Sequence, residues 1–143
     1  MHHVAIFKKS WKLIDKILNG TKTIESRWSI NKISPLDSIN KGDLVFLKNS
    51  GDKVCAVAEV DLVMQFSNLN KSIVNEILTQ NYHKLGMNPD KLSFFLKYFE
   101  NKKNCILIYL KNAKKIEPFK IKKDGFGNMS SWLIVEDINS IKI

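Results

Sequence analysis

The chain has 143 residues, of which 44% are apolar and 26% charged, so it can build one hydrophobic core but not two. Apolar side chains are spread through the whole sequence, which excludes a mainly disordered chain, and no apolar run approaches the roughly 18 residues of a membrane span. We therefore expect one cytoplasmic domain over residues 1–143, with no membrane partner and no cofactor.

The cysteines and histidines indicate a reduced, metal-free protein. Cys55 and Cys105 lie in separate apolar runs, which favours two buried free thiols over a disulfide framework. Three histidines without zinc-type spacing predict no metal site. We expect His2, His3 and His83 at the surface.

The net charge is +9, and most of it lies in the second half of the chain. The stretch from Lys97 to Lys123 holds nine lysines and two acidic residues. A lysine-rich surface attracts polyanions, of which nucleic acid is the most common in a cytoplasm. The alternative is a compositional bias, because 22 of the 23 basic residues are lysine, as an A/T-rich coding sequence would produce.

The first part of the chain predicts a strand, a helix and a second strand. Residues 3–8 are β-like, and Ser10 is predicted to cap a helix that continues at helical spacing to Leu18 and ends at Gly20. Residues 22–28 are rich in β-formers and predict an extended strand. A loop follows, and then a turn at residues 41–43.

The middle of the chain predicts a hairpin and two helices. Strands at 44–48 and 53–66 are joined by a turn whose sequence is typical of hairpins. A helix is predicted from Lys71 to Leu85, with Asn70 as its cap and Gly86 at its end. A second helix follows residues 88–90, with a predicted core stripe of Leu92, Phe95, Leu96 and Phe99.

The last part predicts strands at 104–110, 116–121 and 132–135, with a loop at 125–128. Strands joined by hairpins, with helices grouped to one side, predict an α+β fold. We expect a curved mixed or antiparallel sheet that forms a small β-barrel with flanking helices.

The segment after the first helix carries the clearest chemistry. Arg27 is the only arginine in the chain, and its planar fork can hold a carboxylate or phosphate through two parallel bonds. In an extended strand Thr23, Glu25 and Arg27 share one face, and Lys22 joins them only if the turn after Gly20 rotates it. The alternative is an ion pair, Lys22–Glu25 or Glu25–Arg27, that only fastens the helix to the sheet.

The pattern Gly20-x-Lys22-Thr23-Ile24-Glu25-x-Arg27, after a short amphipathic helix, resembles the signature of ASCH domains. The turn Gly42-Asp43-Leu44-Val45 and the hairpin ending Ala56-x-Ala58-x-Val60 also resemble this family, so the motifs cover roughly residues 3–66. The resemblance implies a PUA-like barrel with helices beside a cleft, and a function linked to RNA or modified nucleotides.

The resemblance also implies a ligand site in that cleft, formed by Lys22, Glu25 and Arg27. The two cations can neutralise a phosphate, and the carboxylate can accept from a base. Aromatic side chains near such a site would stack on bases, and the candidates are Trp11, Trp28, Phe126 and Trp132, for each of which a place in the core is the alternative. Our predicted ligand-binding set adds Trp28, Trp132 and Lys48 to the three motif residues.

A hydrolase is the alternative function. The resemblance implies two such activities, because some small ASCH proteins are amidohydrolases of an acetylated cytidine nucleoside and others are credited with RNA cleavage. Lys22 matches their lysine, whereas Glu25 holds the position of their threonine nucleophile, and Thr23 is a nearby hydroxyl. The enzyme would use Lys22, Glu25 and Thr23, with Glu76 in the neighbourhood of a further catalytic glutamate. The sequence leaves binding of RNA or a modified nucleotide, N4-acetylcytidine-type hydrolysis and weak ribonuclease activity open for the same cationic cleft.

Overall fold

The computed structural model describes residues 1–127 and 130–143, which contain six strands and three α-helices. The strands are β1 His2–Phe7, β2 Ile24–Ser29, β3 Leu44–Asn49, β4 Val54–Phe66, β5 Asn104–Phe119 and β6 Trp132–Val135. The helices are α1 Leu13–Leu18, α2 Lys71–Asn81 and α3 Leu92–Phe99. Short 3₁₀ turns occur at Lys9–Trp11, Pro89–Lys91 and Ile138–Ile141. Asn128, the last residue of the predicted loop, lies outside the described residues.

The six strands form one mixed sheet in the order β2-β5-β4-β3-β1-β6, curled into a half-barrel. Strands β1 and β3 pair in parallel, and the other neighbours pair antiparallel. The predicted α+β fold, a curved mixed sheet with flanking helices, is therefore confirmed. The edge strands β2 and β6 are not paired with each other in the described part of the sheet, which leaves a seam along the barrel wall.

Strand β5 corrects one prediction. The two strands expected at 104–110 and 116–121 are one strand, Asn104–Phe119, which pairs with β4 along its length. The lysines and the asparagine in residues 111–115 are exposed. Because these residue types have low β-propensity, the sequence predicted a loop in the middle of the strand. Register shifts between β4 and β5 act as bulges, which allow so long a pair of strands to bend with the barrel.

The helix boundaries also differ from the predicted ones. Ser10 lies inside a 3₁₀ turn and caps nothing, and α1 begins only after Lys12, whose φ of 54° interrupts the helical path. Asn70 caps α2 as predicted, accepting from the backbone N–H of Ile73 at 2.9 Å. Helix α2 ends at Asn81 and not at Leu85, and a turn continues to Gly86.

The sheet is covered by apolar side chains on both faces. Alternate residues of β5 point in opposite directions: Ile106 and Ile108 pack towards α1, and Cys105 and Leu107 pack towards α2 and α3. Both cysteines are free thiols; Cys105 is buried and Cys55 is half-buried. None of the helices in residues 1–127 and 130–143 is long and apolar enough to cross a lipid bilayer.

Candidate functional site

A cleft of about 650 Å³ opens where the edge strand β2 lies between α1 and α3. The end of β1, the segment between α2 and α3, and one face of α3 complete its wall. The lining includes Lys22, Glu25, Arg27 and Trp28. Four of the predicted ligand-binding residues therefore meet in one cleft.

Lys22 is buried beneath this cleft, with 3% of its surface exposed. Its Nζ donates to the carbonyl oxygens of Ile24 at 2.7 Å and Leu85 at 2.9 Å, and lies 3.1 Å from Glu25 Oε1. The chain reverses at Gly20, where φ is 85°, and this turn brings Lys22 onto the polar face. Burial lowers the pKa of Lys22 and Glu25 opposes that shift. Three oxygen acceptors match the three N–H bonds of an ammonium, so Lys22 is charged and fully paired.

Glu25 is held by donors on both oxygens. Oε1 accepts from Lys22 Nζ and from the backbone N–H of Ser26 at 3.1 Å, and Oε2 accepts from Arg27 Nε at 3.0 Å and Nη2 at 2.9 Å. Burial by itself would raise the pKa of Glu25, but Lys22 and Arg27 outweigh it and hold that pKa below its usual value. Glu25 is an ionised carboxylate that orders the two cations.

Arg27 ties the two ends of the curled sheet together. From β2, Nη1 donates to the carbonyl of Ser131 at 3.1 Å, beside β6, and Nη2 donates to the carbonyl of Ile6 in β1 at 3.3 Å. Its guanidinium carbon lies 5.1 Å from the ring centroids of Phe7 and Trp132. An ammonium has no planar fork, so a lysine could not make these contacts together.

Both ion pairs named as the alternative, Lys22–Glu25 and Glu25–Arg27, are thus present, and an open cleft lies beside them. A guanidinium has five N–H bonds. In the described structure four of them are used by Glu25, Ile6 and Ser131, and Arg27 keeps 18% of its side chain exposed. One Nη1 N–H of Arg27 therefore has no protein partner among the described residues.

A buried hydrogen-bonded chain supports the guanidinium from behind. Trp132 is 5% exposed and donates from Nε1 to His3 Nδ1 at 3.0 Å, while His3 Nε2 lies 2.8 Å from Asp43 Oδ2. Because Nδ1 accepts, we assign the proton of neutral His3 to Nε2, which donates to Asp43. Burial lowers the pKa of His3 despite the neighbouring carboxylate. The expected surface position of His3 is wrong, because β1 is covered on both faces and the ring is fully buried.

Several predicted residues lie elsewhere. Among the described residues, the cleft lining does not include Trp132, Lys48, Thr23, Phe126 or Glu76. Lys48 is buried on β3, and Trp132 lies behind Arg27. Thr23 is exposed, and Glu76 is exposed on α2. The alternation of side chains along a strand predicted that Thr23 shares a face with Glu25 and Arg27. Thr23 precedes β2, however, so the alternation does not extend to it.

The cleft has an aromatic wall that the sequence indicated only in part. Trp28 stacks on Phe99 with ring centroids 4.7 Å apart, and Trp11 meets Phe95 edge-on at 5.6 Å. Of the stripe predicted as core, only Phe99 is buried, whereas Phe95 is half-buried and lines the cleft. The exposed rings of Phe94 and Tyr98 were missed because they lie beside the stripe and not in it. Their separation of four residues was the available signal.

The cleft is strongly cationic. Its lining holds one glutamate against one arginine and five lysines, namely Lys8, Lys16, Lys22, Lys91 and Lys102. Lys16 donates to the carbonyl of Gly86 at 2.7 Å, which fixes the connection between α2 and α3 to α1. Within the described chain no group of His, Cys, Asp and Glu side chains is arranged to hold a metal ion. Cationic side chains and aromatic rings in one cleft are suited to an anion that carries flat rings.

A second concavity, of about 850 Å³, lies between α2 and α3. It is lined by Lys71 and Glu100, which form an ion pair at 3.6 Å, and by none of the motif residues.

No protein-family model and no curated protein matches the sequence. The fold has clear counterparts among solved structures. The ASCH protein of Zymomonas mobilis has a TM-score of 0.68 and 15% identity over 99% of this chain and 96% of that one. A single-substitution variant of it has a TM-score of 0.69 and 15% identity over 97% and 93%. A hypothetical protein, PH0355, has a TM-score of 0.55 and 16% identity over 81% and 100%. The chain therefore has the fold of an ASCH domain, as the motif after its first helix predicted.

Proposed function

We propose that this protein binds RNA or a modified nucleotide in the cleft beside β2. The supporting observation is that one cleft combines six cationic side chains, a single carboxylate and a wall of aromatic rings. Proteins that hold single-stranded nucleic acid combine a positively charged groove with aromatic side chains on which bases stack. The fold is compatible with this function but does not by itself establish it.

The motif residues have different parts in this proposal. Lys22 and Glu25 have filled their hydrogen-bonding positions with protein partners, so they order Arg27 and leave the cleft cationic. Arg27 offers its remaining N–H to a phosphate or base. Trp28 offers a ring face, and its Nε1 donates to Ser26 Oγ at 2.9 Å, which leaves the Ser26 hydroxyl hydrogen free to donate.

The lysines outside the cleft add long-range attraction. Most of the lysines from Lys97 to Lys123 are exposed, so their charge acts on a polyanion before contact. Charge of this kind raises association rates and is screened by salt. We propose that these lysines guide the nucleic acid and that the cleft holds it.

The arrangement favours binding over hydrolysis. A nucleophilic hydroxyl needs a base within hydrogen-bonding reach. Lys22 is fully paired, and the hydroxyl-bearing Thr23 is outside the cleft lining of the described structure. Ser26, within the motif, has a hydroxyl that lines the cleft, but the neighbouring Glu25 carboxylate is paired with Lys22 and Arg27, which hold its pKa low and make it a weak base.

The test is binding of a fluorescein-labelled single-stranded RNA, measured by anisotropy at about 50 and 300 mM salt. If about three phosphates are neutralised, the logarithmic salt slope is about −2 and the affinity falls about 40-fold over that range. Equal affinity at the two salt concentrations would contradict the electrostatic basis of the proposal.

The same preparation distinguishes binding from catalysis. We expect RNA and N4-acetylcytidine to remain intact after prolonged incubation with the protein. Turnover that disappears in Lys22→Ala would instead support the hydrolase. Because Lys22→Ala leaves Glu25 without one of its partners, its folding must be checked by circular dichroism.

A further inference from the structure

Two aromatic side chains extend the cleft onto the outer surface of α3. Phe94 is 53% exposed and Tyr98 is 46% exposed, and both line the cleft. Their rings are stacked at 5.7 Å with an interplanar angle of 28°, which is the offset parallel arrangement of an i, i+4 pair. Exposed apolar groups that adjoin one another, unlike scattered single ones, mark a contact surface.

Phe94 and Tyr98 connect to Trp28, the aromatic residue on β2, through a series of ring contacts. Trp28 stacks on Phe99 at 4.7 Å, and Phe99 meets Tyr98 edge-on at 5.0 Å. Phe99 is buried, so it separates the partly exposed ring of Trp28 from the exposed rings of Phe94 and Tyr98. The cleft therefore has one ring surface at Trp28 and another at Phe94 and Tyr98.

Two lysines lie close to the exposed rings of Phe94 and Tyr98. The Lys8 ammonium lies 4.7 Å from the Trp11 ring centroid and 5.8 Å from that of Tyr98. Lys91 precedes α3 and, three residues before Phe94, lies on the same helical face. The surface at Phe94 and Tyr98 therefore combines aromatic rings with positive charge, as Arg27 does with Phe7 and Trp132.

We propose that Phe94 and Tyr98 form a second base-stacking subsite, so that the cleft holds a single-stranded oligonucleotide of at least two nucleotides and not a free nucleotide. This rests on the proposed function and specifies its ligand. One base stacks at Trp28, the next stacks at Phe94 and Tyr98, and Lys8 and Lys91 neutralise the phosphate that joins them. Stacking on such surfaces depends little on base identity, so binding should depend on length more than on sequence.

The experiment is a competition assay against a fluorescein-labelled uridine octanucleotide, with UMP, the dinucleotide UpU and the unlabelled octanucleotide as competitors. Wild-type protein should bind the octanucleotide at least about tenfold more tightly than UMP, with most of the gain already present in UpU. The double variant Phe94→Ala/Tyr98→Ala should lose about tenfold or more in affinity for the octanucleotide and less than about threefold for UMP.

The matched control is Leu62→Ala/Met64→Ala, which removes two similarly exposed apolar side chains of β4 that do not line the cleft. It should bind every probe like wild type. UMP binding as tightly as the octanucleotide, or an unchanged octanucleotide affinity in Phe94→Ala/Tyr98→Ala, would overturn the second subsite while leaving nucleotide binding intact. Failure of wild type to bind any of the probes would overturn the proposed function itself.

Discussion

Arg27 contacts three separate elements of the fold. It pairs with Glu25 on its own strand and reaches the carbonyls of Ile6 in β1 and Ser131 beside β6. These bonds cross the seam that the sheet leaves open, so the same side chain closes the half-barrel and forms part of the cleft wall. A single arginine in a lysine-rich chain is explained by this geometry, since only the guanidinium has donors pointing in several directions in one plane.

Arg27→Lys should lower the free energy of unfolding by about 2 kcal/mol. The ammonium keeps a charge beside Glu25, but the two hydrogen bonds to backbone carbonyls are lost, each typically worth about 1 kcal/mol. Urea denaturation measures the change. Lys91→Arg, an exposed substitution between the same two residue types, is the control and should stay within about 0.5 kcal/mol of wild type. An unchanged unfolding midpoint in Arg27→Lys would show that the seam contacts do not stabilise the fold.

His3 should make stability depend on pH in the weakly acidic range. Its pKa is lowered in the folded chain, so below about pH 6.5 the unfolded chain takes up a proton that the folded chain does not. The free energy of unfolding should therefore be constant above that pH and fall by up to about 2 kcal/mol between pH 6.5 and 5. The lowered pKa of Asp43 acts only below about pH 4, outside this window.

The measurement is urea denaturation of wild type and His3→Gln at several values between pH 5 and 7.5. Glutamine can still donate to Asp43 but does not titrate, so the variant should be less stable at pH 7.5 and show a flatter profile. Identical pH slopes in the two proteins would mean that His3 does not contribute the dependence.

The segment from Lys84 to Gly86 is what positions the motif strand against the helices. The carbonyl of Lys84 accepts from the backbone N–H groups of Thr23 and Ile24, both at 2.9 Å. The next two carbonyls accept from Lys22 and Lys16. The connection after α2 is therefore fastened to α1 and β2 by polar contacts, and this places Lys22 beneath the cleft.

Gly86→Ala tests this close packing. Gly86 has φ of 78°, and an added Cβ would lie 3.0 Å from Lys22 Cβ. Gly51, in the β3–β4 turn, has φ of 82° and open space around it, so Gly51→Ala has the backbone strain without the crowding. We expect a loss of about 1 kcal/mol for Gly51→Ala and a further 1–3 kcal/mol for Gly86→Ala, by thermal or urea denaturation. Equal losses at the two positions would contradict tight packing on Lys22.

The elements that the sequence predicted well are those whose signals are local. The hairpin of β3 and β4 and the Asn70 cap of α2 follow from turn chemistry and capping alone. The single strand β5 could not be predicted, because its lysine-rich middle is held by pairing with β4 and not by propensity. The structure also brings Lys8 and Tyr98 to the motif through tertiary packing, which no spacing in the sequence encodes.

At the scale of the whole molecule, cationic charge has two separate locations. The cleft lining contains six cationic side chains, and only Lys102 among them belongs to the lysine-rich stretch from Lys97 to Lys123. Both regions attract a polyanion at a distance, and the cleft adds the accessible rings of Trp28, Phe94 and Tyr98 to that charge. Reversing charges in each region separately therefore distinguishes specific binding from general attraction.

The most direct measurement compares the affinity of two double variants for the same single-stranded RNA at one salt concentration. Lys91→Glu/Lys102→Glu reverses two charges of the cleft, and Lys114→Glu/Lys120→Glu reverses two exposed charges on β5 and just after it. The change in net charge is identical. We expect the cleft variant to lose at least about tenfold in affinity and to show a shallower salt slope, and the β5 variant to lose less than about threefold. Equal losses, or a larger loss in the β5 variant, would contradict binding in the cleft.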